Sequence, residues 1–286
     1  ISAYICTTPT TLGAIDAGVS SIIVTTGPAT VKYDPMNSKL DKTPVFSELP
    51  WGKQLQYPFI KKLHAWNRDA FVNASAVVSM SEFDANVVKE TFGRQPELNY
   101  IPVKLDDFVV DEWEPSKLTL VNPRDRHKGL DLFIELAQAF PDEEFQIAGS
   151  LYDESKKQDI NELDNVTYLG WCDDMRSVYA NTKLLLVPST YQEGGGRVVI
   201  EAFTNGIPVI GSDLGGVPDY IGDGGDVVEN YTDPDEWIKI IETYLSDSSY
   251  YESKSRKAKQ RSQLFDHTER IDAFERIVES VIQETR

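Results

Sequence analysis

The sequence predicts an α/β protein built on parallel sheets, and two observations carry that prediction. Short β-branched or apolar runs alternate with helix-length amphipathic segments from one end to the other, as repeated βαβ units require. The 286 residues also exceed the usual single-domain size of about 100–200, so two domains and a sizeable buried core are expected.

In the first part, strands are expected at 3–6, 21–25, 76–79 and 98–101, with helices at 63–73 and 81–92. The second of these helices opens on Ser81, whose hydroxyl can cap the first free amides. It ends at Gly93, where a left-handed closing residue costs little. Residues 27–58 are rich in Pro, Lys, Asp and Ser without a clean period, and read as a long loop near an active cleft. The acidic, proline-bearing run 106–116 (DDFVVDEWEPS) reads as an interdomain linker. A fresh series starts at Lys117, with strands expected at 118–122, 145–148, 166–169, 184–187, 208–211 and 226–228. Helices fall between and after them at 130–140, 173–181, 198–205 and 235–246. Six strands with intervening helices complete a doubly wound sheet, whereas the first domain is either reduced or missing its own beginning. Helices at 251–265 and 268–285 close the chain. In the last, Ile271, Phe274, Ile277, Val278, Val281 and Ile282 recur at helical spacing, an apolar stripe that must be buried somewhere. The domains are accordingly drawn at 1–114 and 115–266, with 267–286 a separate terminal helix.

Composition excludes several classes of function. The formal charge is −18, with 14 acidic and 10 basic residues up to Pro115 and 32 acidic and 18 basic beyond it. Such an excess repels phosphodiester backbones and anionic lipid heads, which argues against general nucleic-acid binding or a polybasic membrane anchor. No stretch approaches the ~20 apolar residues of a membrane span. Peripheral association with a membrane stays open. The opening residues lack the basic start and apolar core of a secretory signal, and also an initiating methionine, so the chain reads as processed or as a fragment. Cys6 and Cys172 are far apart and read as reduced thiols of a cytoplasmic protein. His64, His127 and His267 form no metal-ligand pattern, and no metal or other cofactor is expected.

Three segments carry chemistry. The first, Pro188 to Ala202 (PSTYQEGGGRVVIEA), follows the apolar run KLLLV and leads into a helix. Its three glycines therefore sit where a strand turns into a helix start, where free amides attract phosphate oxygens and a ligand can approach the backbone closely. Glu193 and Glu201 flank those glycines, placed to point toward the carboxyl edge of the sheet. Carboxylates beside a phosphate site are suited to hydroxyl groups, since they accept hydrogen bonds from a ribose or a hexose while repelling further anions. The second segment, Asn122 to Leu130 (NPRDRHKGL), places several cations between a strand and a helix, able to neutralise a diphosphate or simply to form a solvated basic loop. The third, Gly206 to Pro218, reads as a buried strand and a glycine pair, serving either packing or donor contact.

In order, Lys128-Gly129, Phe145 to Gly149, Tyr168 to Gly170, Pro188-Ser189, the E-x7-E pair Glu193 and Glu201, Gly206-x-Pro208 and Gly215-Gly216-x-Pro218 resemble the C-terminal domain of the large retaining glycosyltransferase family numbered four, which includes mannosyltransferases and sucrose synthase. The resemblance covers about 118–235 and is weak before Val103, where it is clearest at 76–92. It implies a GT-B enzyme with two Rossmann-like domains, the first incomplete or reduced. Such an enzyme binds a nucleoside diphosphate sugar without a metal and passes its hexose to a hydroxyl acceptor with retention. By the same resemblance Glu201 would bind ribose hydroxyls, and Glu193, the catalytic candidate, the transferred sugar. Gly195, Gly196, Arg197 and Val198 would surround the diphosphate with backbone amides, and Lys128 would pair with its charge. Gly170 and Trp171 stand where relatives hold the base, although Trp171 reads equally well as a packing residue. The terminal helix would return to the first domain.

Two departures from the pattern matter. The usual phosphate-binding arginine is replaced by Pro123, leaving Arg124 as the candidate substitute, and Gly27 stands where many relatives carry a histidine. A non-catalytic sugar-nucleotide or glycan-binding module, or a sugar-nucleotide epimerase of the same fold, are the competing readings.

Overall fold

Two parallel sheets organise the chain. A computed structural model describes residues 4–5, 12, 14–17, 19–25, 46–48 and 51–284. They divide into one unit of Ile1–Pro102, Gln192–Gly195 and Thr268–Arg286 and a second of Val103–Tyr191 and Gly196–His267. Cys6, Gly27 and most of the expected 27–58 loop lie outside the described residues.

In the first unit, strands β1 (Tyr4–Ile5), β2 (Ser21–Thr25), β3 (Ala76–Ser79) and β4 (Glu97–Leu98) pair in that order, all parallel. Strand period two sends alternate side chains to opposite faces. Ile23 and Val77 are buried with Ala70, Phe71, Val87, Val88 and Phe92. These come from helices α2 (Tyr57–Asn73) and α3 (Glu82–Phe92), which follow the short α1 (Trp51–Gln54). Ile22, Ala76 and Val78 are buried with Ile277 and Val281 of the C-terminal helix His267–Glu284. Asn99 fixes that helix further by donating to the Arg270 carbonyl at 3.0 Å. Ile271 stays exposed, so the apolar stripe is narrower than expected. α2 begins six residues before the expected 63, because Pro58 stands in the first turn, where its missing N–H is not needed.

Ser81 caps α3 by accepting from the Asp84 amide at 3.1 Å, and Gly93 closes the helix at φ 72°. The Asp84 carboxylate is fully buried, and neither oxygen has a hydrogen-bond partner among the described residues. Burial pushes this carboxyl up to about 7, against a smaller lowering by Ser81.

The second unit holds β5 (Lys117–Val121), β6 (Phe145–Ala148), β7 (Val166–Gly170), β8 (Thr182–Val187), β9 (Val209–Ser212) and β10 (Gly225–Val228). Their spatial order is β10-β9-β8-β5-β6-β7, all parallel. The chain runs outward from β5 to β7, then returns to the other side of β5 at β8. Such a reversal opens a crevice outside the carboxyl ends of the two central strands. Helices α4 (Leu130–Ala139), α5 (Lys156–Asn161), α6 (Arg176–Tyr179), α7 (Arg197–Thr204), α8 (Val217–Ile221), α9 (Pro234–Ser246) and α10 (Ser248–Ser262) make the crossovers and the closing layer. Leu118, Leu120, Phe133, Leu136, Phe145, Ile147, Leu184, Leu186, Ile210, Trp237 and Ile241 form one core cluster. Gln146 is buried inside the sheet because its amide donates to Thr119, the Val178 carbonyl and Thr182 at 2.9–3.2 Å.

The run expected as a linker belongs to this second unit, so the division falls at Pro102 rather than 114. Leu105 is buried, and Asn205 at the end of α7 donates to the Phe108 carbonyl and accepts from the Val110 amide, at 2.8 and 2.9 Å. One side chain thus binds two neighbouring backbone groups of the segment, and its acidic residues remain exposed.

Candidate functional site

The crevice between β5 and β8 is built by two loops bonded to one another. β5 leads directly into Asn122, whose φ of 56° is the only positive value at a non-glycine residue in the described chain. Asparagine tolerates this left-handed region better than most residues. A Cβ on neighbouring Gly149, itself at φ 102°, would come within 2.8 Å of the Asn122 Cα, so the two strand ends meet with no room for a side chain. The Asn122 amide carbonyl, Oδ1, is buried and has no partner among the described residues.

Beyond Asn122, the Asp125 carboxylate accepts from the His127 amide at 2.9 Å and caps a single 3-10 turn, Arg126–Lys128. Gly129 then reverses the chain at φ 76° into α4. An added Cβ there would lie 2.0 Å from the Pro188 carbonyl oxygen, so this glycine is what lets the first loop close on the end of β8. The Thr190 amide donates to the His127 carbonyl at 2.8 Å, and its hydroxyl lies 3.3 Å from His127 Nδ1. A cleft of about 490 Å³ opens beside the joined loops, lined by Arg126, Gly129, Thr190, Tyr231 and others.

Lys128 is half-buried at the end of the 3-10 turn, and Arg124 is exposed four residues earlier. Arg126 leans toward Asp131, which Lys156 holds at 2.9 Å and the Tyr152 hydroxyl at 3.1 Å.

Gly196 directly precedes α7, whose first intrahelical bond runs from the Val199 amide to the Gly196 carbonyl at 2.9 Å. The amides of Arg197 and Val198 come before that bond and are the free donors of a helix start. A Cβ on Gly196 would press within 2.8 Å of Val199, which keeps the backbone close to the helix.

Glu201 lies one turn further, only 6% exposed, and both carboxylate oxygens are engaged. The fully buried Tyr179 donates its hydroxyl to Oε2 at 2.8 Å, and Arg197 Nε reaches Oε1 at 2.9 Å. Burial raises the Glu201 carboxyl above its usual range, while Tyr179 and Arg197 pull it back. Burial and the adjacent Glu201 charge hold the Tyr179 hydroxyl far above its ordinary value. Arg197 also lies over the Phe108 ring, 5.8 Å from its centroid. Glu201 therefore supports the core. Glu201→Ala is expected to cost about 1–3 kcal/mol in urea denaturation by stranding the Tyr179 hydroxyl. Adding Tyr179→Phe should recover part of that loss, and strictly additive losses would disconnect the pair.

The remaining candidates are placed as follows. Gly170 ends β7 at φ 68° in open space, and Trp171 beyond it is 72% exposed, its indole N–H donating to Asp173 at 2.8 Å. Glu193 and Gly195 fall in Gln192–Gly195, within the first unit, whereas Glu201 falls in the second. Among the described residues no group of three or more His, Cys, Asp or Glu side chains is arranged to hold a metal ion. Cys172 is a free thiol, pushed up mainly by burial. No helix among the described residues is long and apolar enough to cross a membrane. Sequence reasoning missed Tyr179 and Phe108, and took Asn122 only as the start of a cation-bearing segment. Only Asn122 left a signal, as an asparagine at a strand end before proline.

Residues 108–261, more than half of the chain, match the family described as Glycosyl transferases group 1. An uncharacterised 41.2 kDa protein in the cps region of Klebsiella pneumoniae is 25% identical over 209 residues, covering 68% of this chain and 56% of that one. A D-inositol 3-phosphate glycosyltransferase of Corynebacterium kroppenstedtii is 35% identical over 77 residues, covering 26% of this chain and 17% of that one. The chain thus spans little more than half of the first of these relatives and a sixth of the second. Among solved structures, Anabaena Alr3699/HepE in complex with UDP superposes with a TM-score of 0.73 at 17% identity, covering 96% of this chain and 76% of that one. With its two parallel α/β units and its match across the second, the chain belongs to the group 1 glycosyl transferases and has the GT-B fold.

Proposed function

We propose that this chain transfers a hexose from a nucleoside diphosphate sugar to a hydroxyl of a glycan, lipid or small molecule, with retention and without a metal. The observation that carries the reading is the pair of bonded loops at the carboxyl ends of β5 and β8, joined by the Gly129–Pro188 approach and the Thr190–His127 bond. They bring a cation-bearing turn and a glycine-led helix start to one crevice, which suits a diphosphate better than an uncharged ligand. The structural neighbour that holds UDP makes a uridine nucleotide the first ligand to try.

In this reading Lys128, Arg124 and the amides of Gly196, Arg197 and Val198 take the charge that develops on the leaving diphosphate. Glu201 accepts from ribose hydroxyls through lone pairs not used by Tyr179 and Arg197. Glu193 contacts the transferred sugar. Gly170 and Trp171 border the base. Front-face departure and attack, with a diphosphate oxygen taking the acceptor's proton, requires no histidine at position 27. The reduced-thiol reading of Cys172 accords with a cytoplasmic location.

The deciding experiment is a thermal-shift panel of nucleosides, nucleoside diphosphates and their sugars, followed by turnover with the donor that stabilises most. A ligand at about 100 times its Kd adds ~2.7 kcal/mol to stability. No shift with any nucleotide would reject the proposal. Binding without turnover would favour a non-catalytic module, the reading that a reduced first domain supports. Lys128→Ala is expected to raise the Kd for UDP roughly 10- to 150-fold while leaving uridine unaffected, as loss of a charge-assisted bond requires. Equal losses for both ligands would move Lys128 away from the phosphates.

A further inference from the structure

The acidic run that follows Val103 folds onto the second unit and helps to wall a pocket there. Asp106, Asp107, Asp111, Glu112 and Glu114 are exposed, as solvated charges should be. Val109 and Trp113 are exposed among them, by 44% and 38%, although both are large and apolar. With the buried Leu105 they line a cavity of about 320 Å³, a volume that falls among the roughly 300–1,000 Å³ of small-molecule sites. The wall is held in place. Asn205 straps the backbone on both sides of Val109, at Phe108 and Val110, and the Trp113 indole N–H reaches the Thr182 carbonyl at 3.4 Å, which tethers the ring by its polar edge.

The remaining lining selects the ligand. Asp106 and Asp266 bring acceptors, Lys259 brings a donor, and Gln263 brings both. Two carboxylates against one ammonium disfavour a phosphate or any other anion, and so does the carboxyl end of α7, where Thr204 and Asn205 line the cavity. A simple cation would use the carboxylates, but it would leave the ammonium of Lys259 and the apolar wall without a role. A sugar ring answers every part of the lining. Its C–H face is apolar and suits a flat indole, while its rim of hydroxyls donates to carboxylates and accepts from an ammonium or an amide. The place is also separate from the crevice between β5 and β8. Gly196 opens α7 and the pocket lies at its other end, and a helix of eight residues is roughly 12 Å long.

We propose that this pocket is a second ligand site, which holds a neutral hexopyranose unit, as a free sugar or as one residue of a glycan, independently of any nucleotide. Trp113 and Val109 cover the C–H face of the ring, Asp106 and Asp266 accept from neighbouring hydroxyls, and Lys259 donates to a ring or hydroxyl oxygen. None of these residues belongs to the nucleotide crevice, so the assignment stands or falls apart from the transferase reading.

Saturation-transfer NMR on the 286-residue chain tests the site, with the methyl glycosides of glucose, galactose, mannose and N-acetylglucosamine and the disaccharides maltose and cellobiose as probes. At least one of these sugars should receive saturation, strongest on its ring C–H protons, and excess UDP should leave that signal unchanged. Trp113→Ala should remove it. Asp106→Asn keeps the shape of the side chain but exchanges a charge-assisted bond for a neutral one, so it should weaken binding about tenfold. Both side chains are exposed, and circular dichroism would verify that the variants fold. Lys128→Ala should leave sugar binding as it is. Absence of transfer to every sugar would overturn the proposal, as would transfer that survives both Trp113→Ala and Asp106→Asn undiminished. Transfer removed by UDP or by Lys128→Ala would overturn it too, by moving the sugar to the crevice between β5 and β8. Binding of putrescine, lost in Asp106→Asn and unaccompanied by any sugar, would assign the pocket to a cation instead.

Discussion

Gly129→Ala is expected to lower stability by ~2–5 kcal/mol and to abolish nucleotide binding with it. Two penalties add. A side chain at φ 76° sits in the left-handed region, at roughly 1–2 kcal/mol. The new Cβ would also lie 2.0 Å from the Pro188 carbonyl oxygen, a backbone atom that can yield only if the end of β8 moves, for a further ~1–3 kcal/mol. That movement would separate the Thr190 amide from the His127 carbonyl and pull the two loops apart. Gly170→Ala is the control, because φ is 68° there but nothing lies within 4 Å of the added atom. It should cost only the backbone term. Urea unfolding of both variants checks the comparison, and equal losses would show that the approach to Pro188 does not constrain the crevice.

Asp84→Asn should stabilise the protein by ~2–4 kcal/mol at pH 8 and leave it unchanged near pH 3. The buried carboxyl titrates at about 7 when folded, well above the usual 3.8, so the folded state holds its proton more tightly than the unfolded chain. Its stabilising contribution is full below the unfolded pKa and is lost as pH rises through the folded one, a difference of about 4 kcal/mol before solvent relaxation. Glu201 is shifted the same way and Asp153 and Asp174 the opposite way, so the informative quantity is the difference between variant and parent across pH 3–8. A difference independent of pH would mean that Asp84 does not change protonation on folding.

Much of the second unit was legible because a parallel sheet buries both faces of its strands. KLTLV, FQIA and KLLLV read as near-continuous apolar runs, and the structure places each in the central sheet. Gly93 was legible as a left-handed helix end, and the structure holds it at φ 72°, whereas the close approach of Gly149 to Asn122 left no local signal. Local signals with two meanings were harder. Pro58 reads as a loop residue but opens α2, and the acidic run before Ser116 reads as a linker until Asn205 straps it to the second unit. The six-residue α5 is too short for a period to emerge. Tyr179 could not be foreseen as the partner of Glu201, because only the packing of α6 against α7 brings residues 22 positions apart to 2.8 Å.

Hydrogen–deuterium exchange with and without UDP, at about 100 times its Kd, tests most directly that the crevice between β5 and β8 is the nucleotide site. The account predicts slower exchange in the turn around Lys128 and in the amides of Gly196, Arg197 and Val198 at the start of α7, with the amino ends of the strands unchanged. Protection elsewhere in the chain, with these two loops unaffected by a nucleotide that demonstrably binds, would contradict it.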